Sequence, residues 1–116
     1  MSSLKLELSV NHPELSMSEL SQLRISVSAS NQGKRTIDPG LDNADLLVNA
    51  VPSLPFKEAI GNGIREPVWN ALPPGQTLTR EWPLGEALFA APGKYILVFR
   101  VGSVSAAPVT LTVRSL

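Results

Sequence analysis

The sequence predicts an all-β sandwich of about seven antiparallel strands in two sheets. Three observations carry this: apolar residues recur at every second position in several runs, proline and glycine separate those runs, and no sustained helical period joins them. A strand turns successive side chains to opposite faces, so an apolar row at period two marks the face to be buried.

In chain order, Leu4, Leu6, Leu8 and Val10 form the first such row against Lys5, Glu7 and Ser9. The turn Asn11-His12-Pro13 ends it, and Leu23, Ile25, Val27 and Ala29 repeat the pattern against Arg24, Ser26, Ser28 and Ser30. After the turn Asn31-Gln32-Gly33, residues Lys34 to Asp38 read as a short strand, and Leu46, Val48 and Ala50 as a weaker one. Pro52 to Asn70 is the least regular stretch, with two prolines early and Gly61-Asn62-Gly63 later, and reads as a loop or loose hairpin. Leu78 and Trp82 share a strand face with Arg80, whose apolar stem can lie along that face. Tyr95 to Val101 is apolar on both faces and reads as a central strand. Val109, Leu111 and Val113 close the series against Thr110, Thr112 and Arg114. Ala44 to Ala50 and Gly85 to Ala90 are the only places where a short helical turn is expected. Most of the prolines fall between these runs or at their starts, where the missing N–H costs no ladder bond.

At 116 residues the chain suits one domain, spanning residues 1–116, that buries roughly 65% of its unfolded surface. Apolar residues make up 43% and charged ones 17%, a globular rather than a disordered composition. Ten Lys and Arg balance ten Asp and Glu without forming a basic stripe, which argues against nucleic acid and against electrostatic membrane docking. Cysteine is absent, so disulfides, thiolate metal sites and a cysteine nucleophile are excluded. Residues Met1 to Val10 alternate rather than forming a basic region followed by an apolar core, so no signal peptide is read there, and cytoplasmic residence is the expectation.

No catalytic set emerges. The single histidine, His12, lies in a turn, no Gly-x-Ser-x-Gly elbow exists, and Glu58, Glu66, Glu81 and Glu86 are at unrelated positions. No metal or other cofactor is assigned: Asp38, Asp42 and Asp45 lie close in sequence, but their spacing is not that of a calcium loop and Asx turns explain them. Of the two tryptophans, Trp82 reads as core, while Trp69 is open to a carbohydrate-stacking role. The residues singled out for partner binding are Phe56, Ile60, Ile64 and Trp69, apolar side chains in a Pro- and Gly-bounded stretch that is either tucked against the sandwich or presented to a partner.

The motifs Leu72-Pro73-Pro74-Gly75-Gln76 through Trp82, then Pro92-Gly93-Lys94-Tyr95 and a strand, then Ala107 to Val113, look like the C-terminal half of immunoglobulin-like modules. In them a second Pro-Gly turn places a tyrosine where its hydroxyl can return to the backbone as a tyrosine corner. Their order most resembles the BsuPI-like intracellular proteinase inhibitors, small cysteine-free bacterial proteins without a signal sequence. The resemblance spans residues 20 to 113 and implies an immunoglobulin-like fold and proteinase inhibition. Gly63 to Trp69 is stretched relative to the family's Gly and following Val-Trp, and Pro55 to Asn62 departs from its pattern, so no inhibitor residue carries over. The expected function is a non-enzymatic protein-binding module, inhibitor-like in its most concrete form. The alternatives are a carbohydrate-binding sandwich using Trp69, or a structural accessory domain that assembles through edge strands.

Overall fold

The alternating rows become paired strands in the computed structural model, which describes residues 4–61 and 67–115. Strand β1 (Leu4–Val10) pairs antiparallel with β3 (Ile25–Asn31), setting Leu6 opposite Ala29 and Leu8 opposite Val27. On its other side β3 pairs antiparallel with β6 (Thr77–Trp82), with Ile25 opposite Trp82 and Ala29 opposite Leu78. One face of this group is therefore apolar. The other carries hydroxyls that bond across the strands, Ser28 to Thr79 at 3.0 Å and Ser30 to Thr77 at 2.9 Å.

The second sheet is built about β7 (Gly93–Val101), which lies between β4 (Ala44–Val48) and β9 (Val109–Arg114). Short strands β5 (Val51–Pro52) and β2 (Glu14–Ser16) extend it at either side, and β8 (Val104–Ser105) pairs the end of β7. The apolar rows of both groups, among them Leu6, Ile25, Val27, Leu97, Phe99 and Leu111, belong to a single hydrophobic cluster. The fold is predominantly β, as the alternation predicts, and β7 is central to its sheet.

Several expectations are corrected. Among the described residues there are nine strands rather than about seven, and not all are antiparallel: β2 runs parallel to β9, with Leu15 opposite Val113. Pro13 has no N–H for a ladder and breaks the strand that began with β1; its carbonyl instead accepts from the Thr112 backbone N–H at 2.9 Å, which starts the new pairing. Lys34 to Asp38 does not form a strand and contributes only the bridge between Ile37 and Leu72. The strand at Leu46 stops at Val48, because Asn49 and Ala50, at φ of 50° and 69°, form the two-residue turn into β5.

The largest correction falls in the stretch read as a loop. Helix α1 (Leu54–Gly61) occupies its first half. The Ser53 hydroxyl accepts from the Phe56 backbone N–H at 3.2 Å, satisfying one of the N–H groups that a helix start leaves open. Phe56 and Ile60, four residues apart, share the buried face. The Phe56 ring meets Trp82 of β6 edge-on at 5.2 Å and Phe99 of β7 at 6.0 Å, so α1 ties one strand group to the other. Helix α2 (Gly85–Leu88) is the short helical turn expected there.

The Tyr95 hydroxyl donates to the Ala91 carbonyl at 2.6 Å, which is the tyrosine-corner bond the Pro92-Gly93-Lys94-Tyr95 turn implied.

Candidate functional site

The structure turns three of the residues singled out for partner binding, Phe56, Ile60 and Trp69, inward. Phe56 is fully buried, Ile60 is 2% exposed and Trp69 is 3% exposed, all within the main core; Ile64 lies outside the described residues. The physical reason is the helix, whose four-residue spacing gathers Phe56 and Ile60 on one face over the open side of the core. Trp69 is held by its indole N–H, which donates to Asp42 Oδ1 at 3.0 Å, and by the Arg80 guanidinium 5.7 Å above its ring. The ring face that a sugar would stack against is occupied by protein.

The clustered aspartates point to separate partners. Asp38 Oδ1 accepts from the Gly40 backbone N–H at 2.8 Å as an Asx turn, Asp42 takes the Trp69 and Asn70 side chains, and Asp45 pairs with Lys57 at 3.4 Å. His12 is exposed in the link between β1 and β2.

What the fold leaves for recognition is an edge. β1 ends its strand group: β3 pairs one side of it, and among the described residues no strand pairs the other. Its inward row is half-buried to buried, and its outward row, Lys5, Glu7 and Ser9, is exposed. Lys5 Nζ and Glu7 Oε1 lie 3.4 Å apart, with side-chain exposures of 53% and 62%. Beside the edge runs a groove of about 510 Å³, lined by Lys5, Leu6, Glu7 and Leu8 of β1 and by Val104, Ser105 and Ala107. A strand that has no strand neighbour on one side among the described residues, beside a groove, is the geometry that accepts an added strand. The sequence shows Lys5 and Glu7 on the outward row; which strand forms an edge is set by pairing and could not be read from it.

A second concavity of about 240 Å³ lies at β5 and α2, lined by Val48, Val51, Leu54 and Leu88 among others. Val51 and Leu54 are exposed there. It is smaller and carries no charged side chain.

At the start of the 3-10 turn Met17–Gln22, Glu19 Oε1 accepts from the Ser16 backbone N–H at 2.9 Å and from the Ser16 hydroxyl at 3.0 Å. These bonds, the backbone one first, hold the Glu19 carboxyl below the ordinary carboxylate range, and Arg114 adds to the effect. The Ser16-Met17-Ser18-Glu19 spacing is a capping-box signal in the sequence that the period-two reading passed over.

Comparison with known proteins adds a likeness of fold. No protein-family model matches the chain, and no curated protein does. Among solved structures, the β-glucosidase EmGH1 from Erythrobacter marinus superposes with a TM-score of 0.54 at 15% identity. That match covers 96% of this chain and 15% of the β-glucosidase, so the shared arrangement is a small part of the longer protein.

Proposed function

We propose that this chain is a non-enzymatic protein-binding module, an immunoglobulin-like sandwich that engages its partner by strand addition at β1. The single observation that carries the reading is the side of β1 away from β3, where no strand lies among the described residues, beside the groove it shares with Val104, Ser105 and Ala107. Strand addition draws affinity from main-chain hydrogen bonds and selectivity from alternate side chains, which is what an edge next to a groove of mixed leucine and charged lining offers. The two apolar faces that meet in one cluster, together with the tyrosine-corner bond of Tyr95, support the immunoglobulin-like description. Cytoplasmic residence belongs to the same reading; among the described residues no helix is long and apolar enough to cross a membrane.

The inhibitor form of this reading is the weaker one, because a protease cleft takes an extended chain and residues 54–61 are helical with Phe56 and Ile60 turned in. The carbohydrate form is weakened in the same way by the engagement of Trp69 with Asp42 and Arg80. A structural accessory role beside a larger domain draws support from the β-glucosidase, in which a similar arrangement takes up 15% of the chain.

The test is a peptide panel of alternating apolar and charged residues, titrated into isotopically labelled protein at low micromolar concentration. Amide shifts confined to β1 and the Val104 to Ala107 wall are expected. Shifts confined to other regions, or none across the panel, would sink the reading.

A further inference from the structure

We infer that the crossing from β3 to β4 is a site of proteolytic nicking by a protease whose specificity pocket takes a basic side chain. The bond cut is Lys34–Arg35, and both fragments stay assembled afterwards. Nothing at the β1 edge enters into it, so it is independent of the strand-addition reading.

The placement of the basic residues carries it. Lys5 lies in β1, Lys57 in α1, Arg80 in β6, Lys94 and Arg100 in β7, and Arg114 in β9. Arg24 stands just before β3, where its backbone N–H donates to Asn11 Oδ1 at 2.7 Å and its carbonyl accepts from the Asn11 N–H at 3.2 Å. Arg65 lies outside the described residues. A protease takes its substrate as an extended chain, so a segment already paired in a ladder or coiled in a helix must first unfold. Lys34 and Arg35 sit side by side in a stretch that forms neither, and together with Thr36 they are exposed. Exposed polar loops are where nicking concentrates, and the charge of these two side chains selects a protease with an acidic pocket.

Hydrogen bonding chooses between the two bonds that follow a basic residue here. Peptide hydrolysis needs the scissile carbonyl oxygen to accept from the donors of the protease's oxyanion hole. The Arg35 carbonyl already accepts from the Asn31 amide at 2.7 Å, and Asn31 is buried, whereas the Lys34 carbonyl makes no hydrogen bond among the described residues. The chain bends at Gly33 to Arg35, so the loop has to straighten to enter a cleft, as a substrate does. In the cut, the oxygen of water bonds to the Lys34 carbonyl carbon, the C–N bond to Arg35 breaks and its nitrogen takes the proton, leaving a carboxylate on Lys34 and an ammonium on Arg35.

The core then holds the pieces together. One fragment carries β1, β2 and β3, and the other the remaining strands and both α-helices. β3 pairs β6 and β2 pairs β9, and Leu15, Ile25 and Val27 share the hydrophobic cluster with Leu78, Leu97 and Leu111. The new ends are tied down close to the cut: Asn31 keeps its bond to the Arg35 carbonyl, and Ile37 exchanges backbone bonds with Leu72 at 3.0 and 2.7 Å.

The experiment exposes the full chain, in native buffer, to a catalytic amount of trypsin, whose specificity pocket carries an aspartate. Intact-mass spectrometry reads the first products over time. Fragments 1–34 and 35–116 are expected first, eluting together with the uncut chain in native size exclusion and apart in urea. Lys34→Gln should slow the first cut roughly tenfold, because the bond left after Arg35 has its carbonyl engaged. Circular dichroism checks that this variant is folded, which its exposed position allows.

A first cut at any other bond, after Arg35 or Arg65 included, overturns the inference, as does a folded Lys34→Gln chain cut as fast as wild type. Fragments that part in native buffer, or intact chain that vanishes without lasting fragments, overturn it as well, since the cut then comes from wider unfolding.

Discussion

The side-chain amide of Asn31 donates to the carbonyl of Leu72 at 2.8 Å, across 41 positions of sequence. The same nitrogen donates to the Arg35 carbonyl at 2.7 Å, and Asn31 Oδ1 accepts from the Gly33 backbone N–H at 2.9 Å. Asn31 is only 1% exposed, so it substitutes for the ladder that the following residues fail to form and anchors the crossing from β3 toward β4.

Replacing it with an apolar residue of similar size removes all three bonds, leaving the Gly33 N–H and the Arg35 carbonyl without the amide and the Leu72 carbonyl with the Ile37 N–H alone. Asn31→Leu is therefore expected to lose about 2–4 kcal/mol. Urea denaturation measures this; a loss below about 0.5 kcal/mol would mean that water replaces the amide.

Gly85 opens α2 against the 3-10 turn at Met17–Gln22. A Cβ there would collide with the Leu20 carbonyl oxygen and lie 2.9 Å from Leu23 Cβ. Both neighbours are buried and one contact is backbone, so neither can swing away. Gly85→Ala should cost about 1–3 kcal/mol although alanine is the better helix former. A stabilised variant in the same denaturation assay would contradict this packing.

The β4 to β5 hairpin turns on Asn49 and Ala50, both at positive φ. Asparagine tolerates that region and is further held there: its Oδ1 accepts from the Ile96 backbone N–H at 2.8 Å. Alanine does not, and its Cβ costs about 1 kcal/mol in the left-handed region. Ala50→Gly should raise stability by about 0.5–1 kcal/mol, making the favoured Asn-Gly turn. An unchanged or lowered denaturation midpoint would show that the turn relaxes.

Glu19 supplies a pH dependence. Its carboxyl is held below the ordinary range chiefly by the Ser16 backbone N–H. A depressed carboxylate stabilises the fold above its unfolded pKa, and that stabilisation fades as pH falls through the folded value. Wild type should exceed Glu19→Gln in stability at neutral pH, and the gap should close below about pH 4. Urea midpoints across that range decide it, since a gap that persists in acid cannot come from the charge.

The sequence by itself determined what depends on neighbours a few residues away. Period two exposed the inward rows of β1, β3 and β9, and the Pro-Gly turn before Tyr95 announced a bond that closes over four residues. Tertiary structure decided everything that depends on what lies opposite. An eight-residue helix is too short to hold in water alone, so α1 exists because Phe56 fills the space between Trp82 and Phe99. Trp69 reads as an exposed platform until Asp42 and Arg80 close on it. β2 runs parallel to β9 only because β9 is there to accept it, and β1 is an edge only because no further strand arrives beside it among the described residues. Pairing partners are chosen by burial and hydrogen bonding across long loops, and a row of alternating residues carries no mark of which row it will meet.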